Sequence, residues 1–361
     1  MKKLLLITDA WAPQVNGVAT VFERIIPHLE KKDISVTVVH PGMFHSFPFP
    51  FYPEISMTLF ANKKMQKIFQ EVAPDYVHIA TEWTLGLSAR TIAKKSNRAF
   101  TTSYHTNFSQ YLPHYIFGGS LLSIFSRYYM RWFHKDSSAV MVSNETLKKE
   151  LESDGFKDVV LWSPGIDTEV FKVNEKARSE SPYTSPVFVY FGRIAKEKNI
   201  EAFLKCDVPG TKLVIGDGPE RKKLERKYKD TSTFVGYKRG KELVDLLSIS
   251  DVFVFPSQTE TFGLVVLEAL SCNLPVAAYK VMGPQDVIEE GVDGYLGKNL
   301  EESARKCLTL DRVRCREKAL QYSWDHSSDL FKANIEAYVK PRFSSELFTR
   351  RVKRLLLSLK N

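Results

Sequence analysis

Nowhere in its 361 residues does this chain carry an apolar run approaching the roughly 18 residues of a transmembrane helix. It is also poor in cysteine. The four present, Cys206, Cys272, Cys307 and Cys315, all fall in the second half and form no C-x-x-C pair. That scarcity argues against a zinc ribbon or a disulfide framework and suits a reducing cytosol. No short-period repeat or low-complexity tract is visible. The opening MKKLLLITDAW has basic residues and a short apolar run, but Asp9 interrupts it and no small-residue cleavage site follows. It reads as a first buried strand rather than a signal peptide. Acidic residues are outnumbered, 42 to 51, for a net charge of +9. From Lys340 to Asn361, however, seven basic residues face one acid, Glu346, so the tail alone carries +6. The basic excess is largely local, which weakens any case for a nucleic-acid binder.

What remains is a soluble globular composition, 43% hydrophobic and 26% charged, on a chain long enough for two domains. KLLLITD, SVTVVHP, DYVHIAT, AFTTSYH and SAVMVSN read as strands. Helical stretches lie between them, one ending near Glu30 and others at 84–95 and 144–152. Near-continuous apolar strands alternating with helices imply a parallel sheet covered on both faces. The segment Ser163–Pro186, with Pro164, Pro182 and Pro186 and several serines, breaks the alternation and reads as a connection. The pattern then restarts with PVFVYFG, TKLVIGDG, STFVGY, DVFVFPS and PVAAYK. The expected fold class is α/β: a doubly wound unit at 1–165, a second at 166–339, and a basic amphipathic tail helix at 340–361. Ligands of such sheets lie beyond the carboxyl ends of the strands, so two facing units would form a cleft.

The chemistry gathers around DVFVFPSQTETFGLVVLEALSCNLP, residues 251–275. A buried strand leads through the loop Gln258–Thr261 into a helix over FGLVVLEAL. Glu260 stands in the loop, and Glu268 is expected about two turns into the helix. The helix N-terminus between them offers free amides and a positive dipole end to an anion such as phosphate. An anion site flanked by carboxylates suits a nucleotide-sugar, although loop and helix glutamates taken alone are usually solvated. In GRIAKEKN, Gly192 permits a close approach, and Arg193 and Lys198 could hold a diphosphate or simply form a basic surface turn. The turns Gly216-Asp217-Gly218-Pro219 and Phe234-Val235-Gly236-Tyr237 could lie against a base or be plain turn chemistry.

GRIAKEKN, GDGPE, FVGY, DVFVFPS, the Glu260/Glu268 pair and EGVDGYLG occur in one order. Together they resemble the large family 4 of retaining, nucleotide-sugar-dependent glycosyltransferases, whose two facing Rossmann-like domains form the GT-B fold. TDAWAPQVNGVATVFERI is similar to that family's opening strand and glycine loop, and TTSYHTNFSQYLPHY to its acceptor-domain histidine segment. The resemblance implies that Glu260, with the backbone of Phe262, Gly263 and Leu264, holds sugar hydroxyls and phosphate. Glu268 would hold the ribose, while Arg193 and Lys198 neutralise the departing diphosphate. His105 would stand near the transferred sugar and Asn16-Gly17 beside the phosphates. A lone histidine is by default structural; its place after the AFTTSY strand sets His105 apart. No cofactor or metal is expected, the two cations standing in for one, and transfer would retain anomeric configuration. The chain departs from the commoner family pattern at Asn16-Gly17, at Cys272-Asn273 and at Asp286.

Two segments bear on the acceptor. LLSIFSRYYMRWFHK (121–135) mixes aromatic and basic residues as a membrane interface does. In the tail, Phe348, Val352, Leu355, Leu356 and Leu359 form one stripe, with Arg350, Arg351, Lys353 and Arg354 largely off it. Such a helix suits an anionic leaflet, or else packing on the first domain. The expected function is hexose transfer from a UDP- or GDP-sugar to a membrane lipid or lipid-linked glycan, at the inner face of the cell membrane. The alternatives are a transferase acting on a soluble sugar or metabolite and a nucleotide-sugar epimerase of the same architecture.

Overall fold

The computed structural model describes residues 1–12, 14, 17–49, 52–105 and 119–339. Asn16, most of the TTSYHTNFSQYLPHY segment beyond His105, and the tail helix expected at 340–361 lie outside the described residues.

The first unit runs β1 (Lys2–Ile7), α1 (Gly17–Glu30), β2 (Ile34–Val39), β3 (Ser46–Phe49), β4 (Tyr52–Thr58), α2 (Asn62–Val72), β5 (Tyr76–Ile79), α3 (Thr84–Lys95), β6 (Thr101–Ser103), α4 (Gly119–His134), β7 (Val140–Val142), α5 (Glu145–Ser153) and β8 (Val159–Leu161). Its six-stranded sheet has the order β2-β1-β5-β6-β7-β8, and every pairing is parallel. Along β1, Leu5 and Ile7 enter one core while Leu4 and Leu6 enter the other, the period-two alternation of a strand covered on both faces. The antiparallel hairpin β3–β4 was not legible, because SFPFPFYPEI carries prolines that read as strand breakers.

The second unit continues with α6 (Glu175–Ser179), β9 (Val187–Phe191), α7 (Ile200–Leu204), β10 (Thr211–Ile215), α8 (Arg221–Tyr228), β11 (Thr233–Gly236), α9 (Gly240–Ser248), β12 (Val252–Phe255), α10 (Leu264–Ser271), β13 (Val276–Ala278), α11 (Pro284–Val287), β14 (Gly294–Leu296), α12 (Leu300–Cys307) and α13 (Arg312–Leu320). Its sheet, β11-β10-β9-β12-β13-β14, is also parallel throughout. Val187, Val189 and Phe191 fill one side of β9, and Phe188 and Tyr190 the other. The chain order reverses between β9 and β12. A ligand of a doubly wound sheet sits beyond the strand ends at such a reversal.

The last helix, α14 (Trp324–Ala337), follows the second unit in sequence but packs on the first. Trp324, Phe331 and Ile335 sit among Leu4, Leu6, Phe22 and Ile25. Around that seam Trp162 donates to Ser327 Oγ at 3.1 Å and Asn334 donates to the Leu161 carbonyl at 2.9 Å. His28 meets Asp325 at 2.9 Å. The boundary at residue 339 expected from sequence therefore does not follow the packing: an apolar stripe seeks the larger uncovered face, whatever its place in the chain. At the other crossing the Ile166 amide bonds to the Tyr322 carbonyl at 2.8 Å. A Cβ on Gly165 would lie 2.7 Å from the Trp324 backbone, so the two connections run in direct contact.

Candidate functional site: the facing strand ends of the two sheets

In the second unit the loops after β9 and β12 meet at the reversal point. Lys198 Nζ lies 2.6 Å from Glu260 Oε2, and both side chains are mostly buried. Next to this pair, Asn199 adopts the left-handed conformation (φ 51°) and donates to the Pro256 carbonyl at 3.3 Å, tying the two loops a second time. Arg193 is exposed on the same turn; its carbonyl accepts from the Tyr190 hydroxyl at 2.8 Å. Gly192 precedes it, directly after β9. The β10 turn packs underneath. A Cβ on Gly218 would come within 2.3 Å of the Ile194 carbonyl oxygen, so only glycine lets these turns touch. Gly236 closes β11 beside the same turn, its carbonyl accepting from the Gly216 amide at 2.8 Å.

Beyond Glu260 the chain buries Phe262 and reverses at Gly263, whose φ of 81° disfavours any side chain, before α10 begins at Leu264. The Val266 amide folds back on the Gly263 carbonyl at 2.8 Å, while the amides before it lie at the open helix start. Glu268 is the fifth residue of α10, so it stands just over one turn into the helix rather than the two expected from sequence. The helix starts later than FGLVVLEAL suggests because Gly263 is its cap. Part of Glu268 still reaches solvent, yet protein packed around the carboxyl pushes its pKa up to about 7. Opposing that shift is the positive field of Arg24, on α1 of the first unit. A carboxyl balanced near neutrality can be ionised by a ligand that donates hydrogen bonds to it.

Across the gap, His105 ends the loop after β6. Its ring meets Phe22 edge-on at 5.6 Å and Trp162 at 5.9 Å. Nε2 is sealed from water and has no hydrogen-bond partner among the described residues, and burial lowers the ring's pKa to about 4. The imidazole is therefore neutral at working pH, able to give or take one hydrogen bond but not to act as a standing cation. The His105 carbonyl accepts from Thr261 Oγ1 at 2.8 Å, which binds the histidine loop directly to the residue after Glu260. Gly17, the first residue of α1, would have open space around a Cβ.

Three residues of this region were given no role from sequence, Asp286 having been marked only as a departure from the family pattern. Asp9, fully buried after β1, accepts from the Leu85 amide at 2.9 Å and from Thr81 Oγ1 at 2.8 Å. It thereby fixes the N-terminus of α3, and burial raises its pKa to about 6. Asn144 and Asp286 reach across between the units. Polar residues of this kind look like ordinary loop and cap residues until the tertiary partner is known.

Leu264 adjoins both the β12 core of the second unit and the Phe22 core of the first, so the start of α10 forms part of the seam. Among the described residues no helix is long and apolar enough to cross a membrane.

Comparison with known proteins gives a consistent answer. The family model for Glycosyltransferase Family 4 matches residues 15–170, and that for Glycosyl transferases group 1 matches residues 171–310. Sulfoquinovosyl transferase SQD2 of Arabidopsis thaliana is 29% identical, over 86% of this chain and 68% of its own. A GDP-mannose-dependent alpha-mannosyltransferase of Corynebacterium glutamicum is 25% identical, over 81% and 76%. Alpha-monoglucosyldiacylglycerol synthase of Streptococcus pneumoniae is 27% identical, over 76% and 70%. Among solved structures, Anabaena HepE in complex with UDP-glucose superposes with a TM-score of 0.69 at 17% identity, covering 93% of this chain and all of that one. The facing parallel sheets and the paired family matches show that the chain belongs to the family 4, group 1 glycosyltransferases of the GT-B fold and is an enzyme of that kind.

Proposed function

We propose that the enzyme moves a hexose, with retention, from a nucleoside diphosphate held on the second unit to a hydroxyl of a lipid or lipid-linked glycan presented by the first. The observation that carries this reading is the Lys198–Glu260 pair at the sheet reversal, next to the start of α10 and tied to His105 through Thr261. A diphosphate needs fixed positive charge that strengthens as the bond to the sugar breaks. Lys198, Arg193 and the first amides of α10 supply it. The C1–O bond to the β-phosphate breaks, the acceptor oxygen bonds to C1 on the same face, and the acceptor proton passes to the departing diphosphate. Glu260 accepts from sugar hydroxyls, Glu268 accepts from the ribose hydroxyls, and His105 Nε2 gains a sugar hydroxyl as partner. Gly192, Gly218 and Gly236 keep the turns close enough for backbone to touch the nucleotide. Phe262, Gly263 and Leu264 shape the phosphate end, and the Asn16-Gly17 step of the sequence is assigned to the same end.

A lipid acceptor is favoured by the outer face of α4. Phe125 is 73% and Tyr128 70% exposed, beside exposed Ile124, Trp132, Arg127, Arg131 and Lys135. An aromatic face flanked by cations suits the boundary of an anionic leaflet, here the inner face of the cell membrane. The relative named for synthesis of a glucosyldiacylglycerol adds support. Thermal shift against UDP- and GDP-sugars tests the donor assignment, since ligand binding raises the melting temperature by mass action. Stabilisation by one nucleotide class, followed by nucleotide release that requires a diacylglycerol or glycolipid acceptor, is the expected result. No shift with any nucleotide sugar refutes it.

A further inference from the structure

The two units are joined across the cleft by a compact set of polar contacts around the start of α5. Asn144, the N-cap of that helix, donates through Nδ2 to the Thr261 carbonyl, and Ser143 Oγ reaches the same oxygen at 3.4 Å. Thr261 Oγ1 donates to the His105 carbonyl at 2.8 Å. Thr261 therefore contacts two separate loops of the first unit while its own amide meets Glu260 Oε1 at 3.2 Å. On the other side of the same helix start, Asp286 Oδ1 accepts from the Thr146 amide at 3.1 Å and from Thr146 Oγ1 at 2.6 Å. Gln285 Nε2 reaches Thr146 Oγ1 at 3.2 Å. The second oxygen of Asp286 accepts from the Gly283 amide at 3.2 Å. One carboxylate thus satisfies helix-start amides in both units, where negative charge is favoured.

These contacts lead straight to the donor loop. A Cβ on Gly283 would lie 2.8 Å from the Phe262 carbonyl oxygen and 3.3 Å from Glu260 Cγ, so the Asp286 loop rests on the Glu260 loop with no slack. Asp286 is also a point where the chain departs from the commoner glutamate. The shorter side chain bonds to Thr146 without pushing the units apart.

We infer that Thr261, Asn144 and Asp286 form an interdomain clasp that sets His105 against the Glu260–Lys198 pair, with Thr261 a positioning residue for transfer. This rests on the donor assignment above. Thr261 lends its hydroxyl and carbonyl to the first unit and its neighbour to the ligand. Loss of the hydroxyl frees the histidine loop from the donor loop while both loops keep their own internal contacts.

The test uses the full chain with Lys95→Cys and Lys222→Cys, exposed positions one in each unit, for spin labels; the native cysteines are all buried. Thr261→Val keeps the shape and removes the donor, Thr261→Ser restores it, and Asp286→Asn weakens the second contact. In the ligand-free protein, T261V and D286N should broaden the inter-label distance distribution, and T261S should return it to the wild-type width. In turnover of UDP-glucose or GDP-mannose, T261V should lower kcat tenfold or more while donor Kd stays within threefold and the melting temperature is unchanged. T261S should recover most of the loss. Unchanged distance distributions in both variants, or a broadened distribution with wild-type kcat, overturn the clasp. A wild-type enzyme that binds neither sugar nucleotide defeats the donor assignment instead, and the distance distributions still decide whether the clasp exists.

Discussion

The two units share a construction but not a character at their facing ends. In the second, the loops after β9 and β12 are tied to one another by charge and by an asparagine in the left-handed region, and the turns after β9 and β10 touch backbone to backbone. In the first, Phe22 and Trp162 pack around a neutral histidine whose Nε2 lacks a partner among the described residues. A doubly charged diphosphate demands fixed cations and rigid amides, and these must be built once for every donor of the class. A hydroxyl acceptor demands little more than shape and one hydrogen bond. Under the proposed function, the charged, prebuilt wall would take the donor, and the apolar wall would take the acceptor and complete itself on the substrate.

The sharpest way to break that comparison is to remove charge from one wall and the histidine ring from the other. Lys198→Ala should lower kcat/KM by about 10²- to 10³-fold, the scale of removing one preorganised donor to a developing negative charge. His105→Ala should cost about tenfold, the worth of one hydrogen bond. Parallel steady-state kinetics with melting temperatures check both. Equal losses would abolish the distinction between the walls.

The loops at the strand ends of the second unit were also the part most legible from sequence, for the same reason. Fixed backbone geometry leaves glycines at fixed places, so Gly192, Gly218 and Gly263 stand out in the chain, and so do the charges between them. β1, β5, β9 and β12 were readable because strands buried on both faces are continuous apolar runs. The β3–β4 hairpin, β8 and β14 escaped notice: the hairpin bears prolines, and the other two are three-residue strands. The return of α14 to the first unit is decided by which face lay uncovered, and no local pattern encodes that. The interdomain contacts of Asn144 and Asp286 were invisible likewise: each is a plausible helix cap, and only the tertiary structure shows one of them capping a helix of the other unit.

Acidity distinguishes the walls again, with a smaller effect. Glu268 has its pKa raised to about 7, whereas His105 has its pKa lowered to about 4. With Glu268 holding the ribose as proposed, the ribose hydroxyls would donate to the ionised carboxylate, and donor affinity should rise about tenfold between pH 6 and 8 as Glu268 loses its proton. Calorimetric titration with UDP or GDP across that range checks it, and Glu268→Gln should flatten the profile. The histidine should contribute no pH dependence there. Stability moves in opposite senses. An acid with a raised folded pKa contributes stability that is complete below its unfolded value near 4.3 and lost as pH rises through about 7. A histidine with a lowered pKa contributes stability that is complete above about 6.5 and lost as pH falls through about 4.

The smallest expected effect on chemistry tests whether the apolar character of the first unit extends to its surface. Phe125 and Tyr128 lie on the outer side of α4, away from the buried Met130, Phe133 and His134 that anchor the helix. Their replacement by serine should leave the melting temperature and the donor affinity unchanged. If this face enters the headgroup boundary, flotation with vesicles containing anionic lipid should weaken by about thirtyfold, since each of the two aromatics buried in that region is worth on the order of 1 kcal/mol. Added salt should weaken it further, because Arg127, Arg131 and Lys135 act at a range set by the Debye length. Turnover of a detergent-dispersed acceptor should be unaffected, and turnover of the same acceptor in vesicles should fall in step with binding. Flotation that is indifferent to both residues would confine the apolar wall to the cleft, and the acceptor would then have to reach His105 from solution.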